Sequence, residues 1–323
     1  MFLRSRPFTL MLPLFLLGLL TSCKGGRPSA APSERVKSST GQSGGISKGD
    51  LRNHNRMRSV PGKSFDESFN FQPGLDFYQE ATELKDLSGL NGNELCWPTA
   101  LTHRIMYQRE LRKNPFPKLL LSGDLNHDGK VDFLDQIRYF AEPQNCNTQK
   151  DSGTSIENAL SCTRNYYKDS GYQPWVYIIG AHAEDWPKDA AKKDFVRPVN
   201  VSDLRKYLSS DLGVIMLIGW YEEDRKEKTW KWSGGHFFNV YGYDYDESWE
   251  EDRILLKIVN PDVDYKKRSA SQMFDSIEMS KFVKKPEFNY PAGLSYKLHG
   301  LGFGGKSSAF VEDIIVFTLV INN

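Results

Sequence analysis

A cysteine, a histidine and an asparagine far apart in this chain have the types and spacing of a thiol nucleophile, its base and the group that orients the base. Cys96 begins the run Cys96-Trp97-Pro98-Thr99-Ala100-Leu101, in which the one proline falls two residues in and no glycine follows before Leu111. Ala100, Leu101, Ile105 and Leu111 recur on one face, so the spacing predicts a buried helix from Cys96 to about Leu111. A thiol in the first turn of a helix meets backbone N–H groups without intrahelical acceptors and the positive end of the dipole. Both push it toward thiolate, the form that attacks carbonyl carbon. A cysteine taken alone is more often a small buried apolar residue, so the other two groups carry the argument.

His236 follows Gly234-Gly235 and opens the apolar run Phe237 to Tyr243, while Asn260 follows Arg253 to Val259. These two strands, joined across the acidic segment Asp244 to Asp252, form a hairpin pattern. In an antiparallel pair the start of the first strand lies beside the end of the second, so Asn260 can reach the imidazole and fix its tautomer. The chemistry permitted is attack by sulfur to give a thioester, with the imidazolium then protonating the leaving amine.

The elements that position these residues read as helices first and strands afterwards, an α+β order with N-terminal helices packed on a mostly antiparallel sheet. Helices are predicted over Ser155 to Asp169 and Ser202 to Ser209. Strands are predicted over Trp175 to Ile179, Gly213 to Trp220 and Phe310 to Ile321, the second by its continuous apolar run. Glu222 to Ser233 is a polar excursion between strands. Trp220, Tyr221, Trp230 and Trp232 around it read as core or loop packing, or else as a rim for an extended substrate. With 323 residues, 39% hydrophobic and 13% aromatic, the chain has material for a sizeable core.

Asp124-Leu-Asn126-His-Asp128-Gly129-Lys130-Val131-Asp132-Phe-Leu-Asp135 has the ligand spacing of a calcium loop. Oxygen side chains fall at loop positions 1, 3, 5, 9 and 12, the Lys130 carbonyl falls at position 7, and Gly129 makes the sharp turn. With Asp135 in place of the usual Glu, and a proline-containing segment in place of an entering helix, the loop resembles the dockerin type of EF-hand. In that type only an exiting helix follows, here Asp132 to Ala141. Dockerins carry two such loops and one is visible here, so the resemblance implies structural calcium, bound with a Kd on the order of 0.1 to 1 mM, and not cohesin binding. None of the six histidines is spaced like a zinc ligand.

Residues 1–22 have a charged start, an apolar run from Phe8 to Leu20 and small residues before Cys23. This is a secretory signal too short to span a bilayer. Leu20-Thr21-Ser22-Cys23 resembles the lipobox of bacterial lipoproteins. The resemblance implies a lipid-bearing Cys23 that tethers the protein to a membrane, and Lys24 in place of Asp implies the outer membrane. Residues 23–63 follow as a flexible linker, since they hold almost no large apolar side chains. From Lys24 to Lys63 there are nine Lys/Arg against two acids, which leaves the folded remainder, 64–323, mildly acidic and without a nucleic-acid footprint.

Setting Cys23 aside leaves Cys96, Cys146 and Cys162, an odd number that in an oxidising compartment suggests one bridge and one thiol. Cys146 and Cys162 close a short polar loop and are the expected pair, although the sequence also permits Cys96 to bond either of them.

Cys96-Trp97 with Ala100 on one helix resembles the papain-like cysteine peptidase signature. Leu204 to Asp262 is similar to the bacterial peptidase C39-like branch in its short helix, buried strand, Gly-His, Gly242-Tyr-Asp and Asn-Pro. His236 lies 140 positions after Cys96 and Asn260 a further 24, within the spacing of that family. The resemblance implies a papain-like fold acting on a peptide or protein substrate, with Cys96 as nucleophile, His236 as base and acid, and Asn260 as the orienting residue. The family places a Gln six residues before the Cys as oxyanion donor. Here Leu90 stands there, leaving Asn91 and Asn93 as candidates. A lost donor costs about a hundredfold to a thousandfold in rate, so a binding module without turnover is the alternative. Asp262 also admits a Cys–His–Asp set with transglutaminase-like acyl transfer.

Overall fold

The computed structural model describes residues 58–61, 84, 87, 90, 92–111, 116, 119, 121–180, 199–210, 212–245, 252–262, 275–291, 293–300 and 307–320. The signal, Cys23, nearly all of the linker and Asn91 lie outside these residues, as does the side chain of Asn93.

The protein is α+β. In chain order the elements are β1 (Arg58–Pro61), a 3-10 turn (Gly92–Glu94), α1 (Cys96–Met106), α2 (Phe133–Ala141), α3 (Ile156–Asp169), β2 (Gln173–Gly180) and α4 (Val201–Ser209). Then come β3 (Gly213–Asp224), β4 (Thr229–Tyr245), β5 (Arg253–Val259), β6 (Asp275–Lys281), β7 (Tyr296–Gly300) and β8 (Ser308–Val320). The strands run in the order β1-β4-β3-β8-β7-β6-β5, and β5 also pairs with β4, so six of them close into an antiparallel barrel. Closure removes the edges that an open sheet would expose. β2 joins from outside, pairing with β8.

The continuous apolar run of β3 serves two cores, because alternate residues face opposite sides of a strand. Val214, Met216 and Ile218 pack with Phe238, Val240, Ile254, Leu256, Ile258, Ile277 and Met279. Ile215 and Leu217 pack with Phe237, Ile315 and Phe317 against α1 and α3. α1 is thus wedged between barrel and helices, and every one of its residues is buried. Polar groups also hold it in place. Asn239 on β4 donates to the Ala100 carbonyl at 2.6 Å, Tyr241 donates to the His103 carbonyl at 3.3 Å, and Arg104 donates to the Leu212 carbonyl at 3.0 Å. The buried Arg104 guanidinium lies over the Tyr107 and Tyr241 rings, at 5.1 and 5.2 Å, which suits a cation withdrawn from water.

Two boundaries differ from the sequence expectation. The helix begun at Cys96 is α only to Met106 and widens into a π turn over Tyr107–Leu111, so the apolar spacing to Leu111 spans two geometries. The polar excursion is no interruption: β3 and β4 run through it and pair from Tyr221↔Trp232 to Asp224↔Thr229. The hairpin end is tied by Asp224, whose carboxylate accepts from the Lys226 and Glu227 backbones. His236 consequently sits inside β4 and not at its opening.

Cys146 and Cys162 are disulfide-bonded, and Cys96 is outside the bridge. The pairing ties α3 to the turn that follows α2.

Candidate functional site

Cys96 is the first residue of α1 and is 1% exposed. The 3-10 turn before it is fixed by the Leu95 N–H donating to the Gly92 carbonyl, and by buried Glu94, whose carboxylate accepts from the Asp151 backbone at 3.2 Å. Trp97, fully buried beside the thiol, meets Phe237 edge-to-face at 4.9 Å. Phe237 is next to His236, so this ring pair brings the start of α1 and the middle of β4 together. Such a pair contributes about 0.5–1.5 kcal/mol beyond its burial.

β5 leaves β4 after the pair Asn239↔Val259. Asn260 follows at once, and its side chain reaches back to His236, with Oδ1 2.7 Å from Nε2. The same Oδ1 accepts the Asp262 backbone N–H at 3.0 Å. A backbone N–H can only donate, so the atom it meets must be the amide oxygen, and Nε2 must then carry a proton to share that oxygen. In the neutral ring Nδ1 is therefore the basic nitrogen. It makes no hydrogen bond of standard geometry, and with Nε2 taken it is the nitrogen left for sulfur.

The imidazole is fully buried, which disfavours its charged form, yet its pKa is pushed up to about 9. The Asp262 carboxylate overcomes the burial, helped by hydrogen-bonding and Coulombic contributions from Cys96 and by the Asn260 hydrogen bond. Asp262 Oδ2 lies 3.6 Å from Nε2 with the Asp262 side chain 38% exposed. Its position follows from the turn that ends β5, in which the Asn260 side chain accepts the Asp262 backbone N–H and holds that residue beside the ring. The structure therefore gathers Cys96, His236, Asn260 and Asp262, with the ring still protonated at neutral pH.

Trp220 stacks on the His236 ring, centroids 5.7 Å apart and planes 30° apart. Its role was not evident from the sequence, but the register carried the signal: Ile218 pairs with His236, so Trp220 is a same-face diagonal neighbour. Tyr221, Trp230 and Trp232 instead pack around Phe310 and Leu294. Leu90, at the position of the expected oxyanion donor, packs against the apolar cluster that includes Leu84, Leu95 and Met106.

In the 124–135 loop the acidic side chains turn inward on the backbone. Asp124 accepts from the Asp128 and Gly129 backbones at 3.1 and 3.0 Å, and Asp128 accepts from Lys130 at 2.9 Å. Asp132 caps α2 while buried Asp135 accepts from Leu125, Asn126 and Asp132. Gly129 makes the turn at φ +85°. The residues fit a hard cation in kind, since they offer oxygen donors and each carboxylate oxygen that accepts from the backbone keeps a further lone pair. Among the described residues no three His, Cys, Asp or Glu side chains stand close enough together to hold a metal ion.

No protein-family model and no curated protein matches the chain.

Proposed function

We propose that this chain is a papain-like cysteine peptidase or amide hydrolase of the bacterial cell envelope, lipid-anchored through Cys23 and stabilised by calcium in the 124–135 loop. The observation that carries the reading is the Asn260 oxygen shared between the Asp262 backbone and His236 Nε2, because it leaves Nδ1 as the nitrogen to exchange a proton with sulfur. Cys96 attacks the scissile carbonyl carbon as the His236 ring holds the proton. The tetrahedral adduct collapses to a thioester while Nδ1–H protonates the departing amine. Water, deprotonated by the now neutral ring, releases the acid and restores the thiol. Asn260 keeps the ring in plane, and Trp220 shields it from solvent.

A second reading is supported by burial. Cys96 is 1% and His236 0% exposed, and Leu90 offers no donor to an oxyanion. A peptide reaches the sulfur only after the side chains around it move, and a peptidase-like binding lipoprotein fits the same observations without turnover. Incubation with a peptide vinyl sulfone separates the two. The hydrolase gains one adduct at Cys96 that is absent in His236→Ala; the binding module gains none.

A further inference from the structure

A cavity of about 310 Å³ lies between the end of α2 and one face of α3, beside the disulfide. We infer that it binds a primary ammonium group, carried by a small molecule or by a single side chain.

The argument begins with helix spacing. Cys162, Asn165, Tyr166 and Asp169 line the cavity and recur at i, i+3, i+4 and i+7, a single stripe of α3. Opposite them stand Tyr139, Phe140, Gln144 and Asn145. Cys146–Cys162 joins the two walls, so little ordering entropy is lost when a ligand enters. The volume is at the small end of the roughly 300–1,000 Å³ that ligand pockets span, which suits one head group and not a polymer.

The polarity of the wall is fixed by neighbours that can only accept. Gln144 donates its amide N–H to the Glu142 carboxylate at 2.6 Å, and Asn145 donates to the Tyr139 carbonyl at 2.6 Å. Neither acceptor carries a proton to give, so both nitrogens must face them and both amide oxygens remain for an outside donor. Asp169 adds a carboxylate, and its charge, after burial, helps hold the Tyr139 phenol above its ordinary pKa. Among the described residues no lysine or arginine lines the cavity; Arg109 acts on Tyr166 without being part of the lining. Edge-to-face rings complete the wall, Tyr139 with Phe140 at 5.4 Å and Phe140 with Tyr166 at 5.1 Å. Acceptor oxygens, one carboxylate and aromatic rings together match an N–H-rich cation. The site shares no residue with the thiol site and stands whether or not that site is catalytic.

The test is an NMR titration of the intact protein with Nα-acetyl-lysine methylamide, following the side-chain amide signals of Gln144, Asn145 and Asn165. Nα-acetyl-norleucine methylamide, the same shape without the amine, and methyl glucoside, a neutral polar ligand, are the comparisons. The lysine derivative should give saturable shifts and the other two none. Asp169→Asn should weaken binding at least tenfold while the Cys96 alkylation rate stays unchanged. Absence of saturation, equal shifts from norleucine, binding of the glucoside alone, or undiminished affinity in Asp169→Asn would each overturn the assignment.

Discussion

At the residue scale the account turns on one amide oxygen and one carboxylate. Asn260 Oδ1 is held by the Asp262 N–H and holds Nε2, so Asn260→Ala removes a hydrogen bond to a charged ring. Alkylation of Cys96 by iodoacetamide at pH 7 should then slow about 10- to 100-fold, the equivalent of a charge-assisted bond. Asp262 acts on the same nitrogen through its charge. It raises the affinity of His236 for a proton, so Asp262→Asn must lower the midpoint from about 9, and the alkaline limit of hydrolysis must fall with it. An NMR titration of the ring reads this without a substrate, and an unchanged midpoint would remove Asp262 from the account. That Cys96, His236 and Asn260 meet was legible because a helix start and a hairpin set their spacing along the chain. The place of Trp220 was not, because it depends on a cross-strand register that only the folded sheet defines.

At the element scale, pattern strength decided what could be read. α2 and α3 announce themselves by Asp132 and Ser155, whose side chains accept first-turn N–H groups. β6 and β7 do not, since each contributes only a few inward residues, Ile277 and Met279 in one and Tyr296 and Leu298 in the other, among Ser, Glu, Lys and His. Those two strands complete the path by which β5 returns to β4, so barrel closure was out of sight with them. The cross-link between α3 and the turn after α2 constrains a 16-residue separation. Replacing Cys146 and Cys162 with serine should lower unfolding free energy in urea by roughly 3 kcal/mol, while leaving Cys96 alkylation intact. The turn-rich loop before α2 makes a separate prediction. Calcium at about 100-fold over its Kd should stabilise the protein by about 2.7 kcal/mol, seen as a rise in Tm that Asp124→Ala abolishes. A Tm indifferent to calcium would leave the loop as a capping device for α2 alone.

At the scale of the whole molecule, the fold is a closed barrel and a helical layer meeting along α1. The groups of the candidate site come from both sides of that seam. Sulfur belongs to the helical layer, while the imidazole, the amide and the carboxylate belong to the barrel strands and the turn that leaves them. The Trp97–Phe237 contact joins the two layers at this point, while Gly235 lies against the Ile218 carbonyl of the neighbouring strand. The composition foretold a large core, but not that it divides into a barrel interior and an interlayer core with β3 facing both.

The pairing of sulfur with the imidazole across that seam is tested most directly by the rate at which iodoacetamide modifies Cys96 at pH 7, in the native protein and in His236→Ala. The account predicts modification of the native thiol at least tenfold faster than in the variant, because the ring takes the proton from sulfur. Equal rates in the two proteins, or a native thiol that does not react at all, would contradict it.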